Sequence, residues 1–153
     1  MKSWAPFDGN KLYSPTGQTL DLAFRTTIVA DMQRLGRGRG CAVIWDIFDK
    51  RVDQLEPGER IQRIETWNSL SHASYVRRFC WIAKGYMSIA PPATRVDDIV
   101  CILFGGQVPY ILRDAGEGHH RLIGEYYVHG IMDGEAFESP DFQPESLKSF
   151  VLI

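Results

Sequence analysis

The sequence predicts an α+β domain in which N-terminal helices pack on a small antiparallel C-terminal β-barrel. Three observations lead there. Apolar residues recur at helical spacing in the first half of the chain. Beyond about Val76 the pattern changes to a succession of short strand-like runs. Turn residues separate those runs at the close intervals seen in small barrels. A length of 153 residues fits one domain spanning 1–153, with residues 1–75 as arm and helical half and 76–153 as the barrel half.

Taken in order, residues 1–18 carry the turn chemistry of Pro6, Gly9, Asn10 and Ser14-Pro15-Thr16-Gly17. Trp4, Phe7, Leu12 and Tyr13 are spread through them, so the segment reads as an arm tethered to the body. A first helix is predicted from about Leu20 to Leu35, with Phe24, Ile28, Met32 and Leu35 on one face. Gly36-Arg37-Gly38-Arg39-Gly40 ends it. The apolar run Cys41-Ala42-Val43-Ile44-Trp45 suits a strand or a short helix equally. Pro57 then occupies a first-turn position of a second helix. That helix is predicted to turn Ile61, Ile64, Trp67 and Leu70 inward and Glu59, Arg60, Arg63 and Glu65 outward.

Strands are predicted near 77–82, 85–89, 98–104, 109–113, 121–129 and 147–153. The last run, Leu147 to Ile153, is expected to close the barrel and bury either Phe150 and Leu152 or Val151 and Ile153.

Composition excludes several functions. A net charge of −2 offers no basic footprint for nucleic acid. No apolar run approaches the roughly 20 residues of a membrane-spanning helix, and nothing after Lys2 resembles the apolar stretch of a secretory signal. Cys41, Cys80 and Cys101 are odd in number and apolar in setting, which points to reduced thiols and a cytosolic location.

Gly36-x-Gly38-x-Gly40 lacks the preceding strand and the glycine spacing of a dinucleotide loop. There is no Walker loop and no Gly-x-Ser-x-Gly elbow. His119 and His120 are adjacent, so a strand sends their rings to opposite sides, and no metal ligand set accompanies them. Neither a cofactor nor a metal is expected. Glu125, Tyr127 and His129 would share one face of a strand. That row is either an outward polar face or the polar lip of a pocket, since Tyr and His can both donate and accept.

Longer stretches carry a resemblance. They are Arg78-Phe79-Cys80-Trp81-Ile82-Ala83-Lys84-Gly85-Tyr86-Met87-Ser88-Ile89-Ala90-Pro91-Pro92, then Asp97 to Gly106, then Val108 to Arg113, then Gly124-Glu125-Tyr126-Tyr127-Val128-His129-Gly130-Ile131-Met132-Asp133-Gly134-Glu135-Ala136. In this order they resemble the C-terminal region of fungal heterokaryon-incompatibility (HET) domain proteins. Phe24 to Asp31 is similar to a helix upstream of that region. The resemblance implies a fungal source. Residues 1–19 cannot hold the signalling domain of that family, so a stand-alone module is expected. Its C-terminal region brings no catalytic residues that could be carried over. The module also resembles small cyclases of fungal terpenoid pathways, of the norbornene-forming Diels–Alder kind.

Two function classes follow. One is a cofactor-free cyclase that holds an apolar terpenoid in its reactive shape, with Trp67, Trp81, Tyr86 and Met132 as substrate-binding walls and Tyr127 and His129 as catalytic hydrogen-bond donors. The other is a non-enzymatic interaction or ligand-binding module. A hydrolase or isomerase built on a Glu/His or Asp/His pair ranks third. The partner expected of the first is an apolar small molecule, with homo-oligomer formation left open.

Overall fold

The computed structural model describes residues 8, 10–30, 47–48, 50–139, 142–143 and 147–153, apart from the side chains of 69, 70, 72 and 73. The expectations placed on Trp4, Phe7, Met32, Leu35, the 36–40 glycine turn, Cys41 and the run to Trp45 lie outside these residues, as does the side chain of Leu70.

Helix α1 spans Leu20–Ile28. Thr19 caps it, accepting from the Leu22 amide at 3.3 Å, and Asp21 pairs with Arg25 one turn on. Thr26 and Thr27 return their hydroxyls to the carbonyls of Leu22 and Ala23 at 2.9 and 2.7 Å, so neither is buried unpaired. Helix α2, Pro57–Ser74, starts on a capping box of Glu56 and Glu59 with Pro57 at its first position.

The face assigned to α2 from sequence is corrected. Ile61, Ile64 and Trp67 are about 60% exposed among the described residues (60, 61 and 59%). The sheltered ridge is Glu59, Arg63 and Thr66. Glu59 pairs with Lys50, Arg63 donates to the Lys50 carbonyl, and its guanidinium lies over the Phe48 ring. Polar and cation–π contacts to Phe48 and Lys50 therefore set the rotation of this helix.

Among the described residues, seven strands follow. β1 (Arg78–Trp81), β2 (Met87–Ala90) and β6 (Tyr127–Val128) make one antiparallel sheet in the order β1-β2-β6. β3 (Ile99–Cys101), β4 (Tyr110–Gly116), β5 (His119–Glu125) and β7 (Val151–Leu152) make the second, in the order β3-β4-β5-β7. A short helix, α3 (Glu135–Glu138), follows β6.

The α+β class holds, but the described strands form two sheets and not a closed barrel. The chain passes from the second sheet to the first at Tyr126, between β5 and β6, so one side of the pair is joined covalently. On the other side β1 and β3 are both edge strands, and a seam lies between them. The predicted closing strand does not fill it. β7 pairs parallel to β5 at the far edge, where Val151, Leu152 and Ile153 stay 57, 46 and 65% exposed.

The first sheet is covered on both faces, which is why all four residues of β2 are buried. Alternation sends Met87 and Phe79 toward α1, into a core with Tyr13, Ala23, Phe24, Ile28 and Val29. It sends Cys80, Ala90, Tyr126 and Val128 toward the second sheet, into a core with Ile111, Val100 and Ile123. Each fully buried side chain of this size contributes roughly 1.5–3 kcal/mol.

Candidate functional site: an apolar cleft at the open seam

Where a barrel would close between β1 and β3, the structure has a cleft of about 970 Å³. Its floor carries Cys80 of the first sheet, Tyr126 at the crossing and Ile111 of the second sheet, and Tyr86, Ile131, Val100 and Cys101 line it as well. Ala136 and Phe137 of α3 also line it. The lining is mostly apolar, the setting in which a small ligand buries most of its surface.

The floor holds a closed relay of polar groups. Ser88 Oγ donates to the Cys80 carbonyl at 2.8 Å. Its proton being committed, the 2.6 Å contact between Ser88 Oγ and the Tyr126 hydroxyl must be a donation from Tyr126. The Cys80 thiol sits 3.2 Å from both oxygens and supplies the remaining proton. Burial pushes the Tyr126 phenol well above its ordinary value, and the Cys80 thiol beside it adds to that shift. Tyr126 therefore stays neutral and can act only as a hydrogen-bond donor or acceptor. Burial likewise raises the Cys101 thiol. Cys80 and Cys101 are both free.

The residues singled out from sequence divide between the two faces of this sheet. Tyr86 lines the cleft; Trp81 borders it, but its ring lies on the opposite face, 6.4 Å from that of Tyr13 and 6.3 Å from that of Phe79. Tyr127 and His129 do not, because strand alternation turns them to the opposite face, toward the N-terminal arm. There His129 is only 7% exposed. Its Nε2 lies 2.9 Å from Gln18 Oε1 and its Nδ1 lies 3.1 Å from the Tyr127 hydroxyl. Gln18 Oε1 can only accept, so the proton is on Nε2 and Tyr127 donates to Nδ1. Tyr13 stacks on the ring at 5.5 Å, donates to the His129 carbonyl at 3.1 Å and accepts from the Met87 amide at 2.8 Å. Burial lowers the His129 pKa to about 4, against a smaller opposing effect of Glu135, and raises that of Tyr13 to about 12. Gly130 lets the arm approach: its φ is +94°, and a Cβ there would stand 2.8 Å from Thr16 Cγ2.

Met132 takes the Val128 amide on its sulfur at 3.5 Å and is absent from the cleft wall, as is the exposed Trp67 of α2. Glu125 is exposed at the end of β5 and does not share the buried setting of Tyr127 and His129. Tyr126, one residue from the predicted donor, is the tyrosine at the cleft floor. The signal that could have found it was the Tyr126/Val128 alternation, read as inward. His120 packs edge-on against Phe150 at 4.8 Å, away from the cleft.

Strands β1 to β6 and nearly all of the cleft lining fall within one stretch that matches a known family. The model of the Het-6 β-barrel domain matches residues 46–143. The chain belongs to that family. It is also 33% identical over 94 residues to heterokaryon incompatibility protein 6, OR allele, of Neurospora crassa, an alignment covering 58% of this chain and 14% of that protein. The chain thus matches about a seventh of the relative's length. No solved structure matches it.

Proposed function

We propose that the chain is a cofactor-independent cyclase of the intramolecular Diels–Alder type, acting on an apolar terpenoid held in the seam cleft. The observation that supports this reading is the cleft itself, about 970 Å³ of mostly apolar space over a neutral polar floor. A [4+2] closure forms two C–C σ bonds at the expense of two π bonds, with no proton, electron or leaving group to handle. Confinement is therefore the main requirement. Holding the diene and dienophile at near-attack geometry can supply roughly 7–11 kcal/mol in favourable cases.

The polar part is smaller. A ligand carbonyl reaching the floor would compete with Ser88 for the Tyr126 proton, exchanging one hydrogen bond for another of about 0.5–1.5 kcal/mol net. Tyr126 and Cys80 replace Tyr127 and His129 as the donors that can meet a substrate, with Tyr86 retained as a wall and Trp81, packed on Tyr13 and Phe79, set aside. The resemblance to terpenoid cyclases points the same way.

A second reading, an interaction module of the HET-protein kind, is favoured by the family relationship and by the exposed Ile61, Ile64 and Trp67 of α2. One experiment separates the two. An apolar terpenoid bearing a diene and a conjugated enal is incubated with the protein, and cyclised product is followed against buffer alone. The cyclase reading expects acceleration with one dominant diastereomer, lost in Ala136→Trp. Binding without acceleration leaves a ligand-binding module, and no binding leaves the interaction module.

A further inference from the structure

The cleft is not uniform along its length. Arg78 opens β1 and is registered against Ala90, the last residue of β2. The chain leaves Ala90 through two tight turns, Pro91 to Thr94 and Arg95 to Asp98, each closed by a backbone hydrogen bond. Arg78, Thr94 and Arg95 thus belong to one end of the cleft, and all three line it. Lys84, in the β1–β2 turn, belongs to the other end.

The charges at the first end do not cancel. Asp98 is already satisfied: Arg113, which is not in the lining, holds its Oδ1 at 2.8 Å and its Oδ2 at 2.9 Å, and the Arg95 amide adds a bond of 2.7 Å to Oδ2. Among the described residues that line the cleft, that leaves Asp97 as the single opposing carboxylate beside two guanidinium groups. Among the described residues, neither Arg78 nor Arg95 makes an ion pair within 4.0 Å. Independently, the Thr94 hydroxyl at this end is buried and has no hydrogen-bond partner. Leaving such a hydroxyl unpaired costs on the order of 1–3 kcal/mol, which a ligand oxygen would relieve.

We infer that the occupant of the cleft is an amphiphile, an apolar body ending in an anionic oxygen group, whose head sits at Arg78, Thr94 and Arg95. A carboxylate and a phosphate share the required chemistry: planar guanidinium groups bind either through paired N–H donors, and a threonine hydroxyl donates to either. The inference rests on the small-molecule reading of the cleft and adds the class of its ligand.

The test uses the fluorescent polyene cis-parinaric acid and its methyl ester, with farnesyl diphosphate and farnesol as competitors. The acid is expected to bind the protein at least tenfold more tightly than the ester at low salt, and raising the salt should weaken the acid alone. In Arg78→Gln/Arg95→Gln, and to a lesser degree in Arg95→Gln, the preference should fall to about twofold while ester affinity stays level, which also shows that the variant is folded. Lys84→Gln should keep the preference. Displacement of the bound acid by farnesyl diphosphate but not by farnesol would show that a phosphate head is accepted. Displacement by neither would assign the head as a carboxylate, and equal displacement by both would count against an anionic head. Equal binding of acid and ester, a preference surviving the double variant, or one equally lost in Lys84→Gln would overturn the inference while leaving the cleft a ligand site. Binding of none of the probes would overturn the small-molecule reading itself.

Discussion

Tyr126 and Tyr127 are neighbours in sequence and both are buried, yet they serve opposite faces of one sheet. Tyr127 joins His129, Gln18 and Tyr13 in a knot that ties the N-terminal arm to β2 and β6. Tyr126 joins Ser88 and Cys80 at the floor of a cleft. The first set is sealed between elements of the protein. The second lies under the 970 Å³ cleft, whose lining includes Cys80 and Tyr126 but not Ser88. The difference teaches that buried, hydrogen-bonded tyrosine and histidine are not evidence of a site until the space they face is known.

If the knot is structural, breaking it should lower stability and leave ligand affinity alone. Tyr13→Phe is expected to have the largest effect, because it strands both the Met87 amide and the His129 carbonyl in the core. At about 1–3 kcal/mol for each stranded group, the loss should be on the order of 4 kcal/mol by urea denaturation.

Acid should act through the same knot. The pKa of His129 is about 4 in the folded protein, against 6.5 for an exposed histidine. A depressed histidine binds its proton more readily in the unfolded chain. Its contribution is therefore intact above pH 6.5 and is lost as pH falls toward 4, up to about 3 kcal/mol. His129→Gln should flatten that part of the stability–pH curve.

On the other face the effects should be smaller in stability and visible in binding. Ser88→Ala removes the acceptor of the Tyr126 proton, costing about 2 kcal/mol. It should also tighten a carbonyl-bearing ligand, because the phenol is then free to donate. Tyr126→Phe leaves Ser88 its bond to the Cys80 carbonyl. About 1 kcal/mol of stability should go, with ligand affinity changed by no more than a few fold.

The same contrast shows what the sequence could say. The β1–β2 hairpin around Lys84-Gly85 and the β4–β5 hairpin around Glu117-Gly118 were readable, because turn residues with positive φ sit between paired runs. Helix α1 was readable from its period over Leu20–Ile28. Its end was not: it comes at the Val29 cap, with Ala30 at φ +49°, short of the predicted Leu35. The shared side of Tyr127 and His129 was readable too. The face that this side looks onto was not, since alternation gives parity and no direction. Strand count suggested a closed barrel, but the partner of a strand is a long-range fact, and β7 pairs with β5 far from the seam. For α2 the apolar period identified a helix. Its rotation was set by Glu59 and Arg63, whose contacts with Lys50 and Phe48 no local pattern records.

The central claim is that the cleft face, and not the knot, receives the ligand. Amide and side-chain NMR shifts of the labelled protein during titration with an apolar carboxylate test it most directly. The account predicts shifts concentrated on Cys80, Tyr86, Tyr126, Ile131 and Ala136, with Gln18, Tyr127 and His129 unmoved. Shifts centred on His129 and Gln18, or on Ile61 and Trp67 of α2, would contradict it.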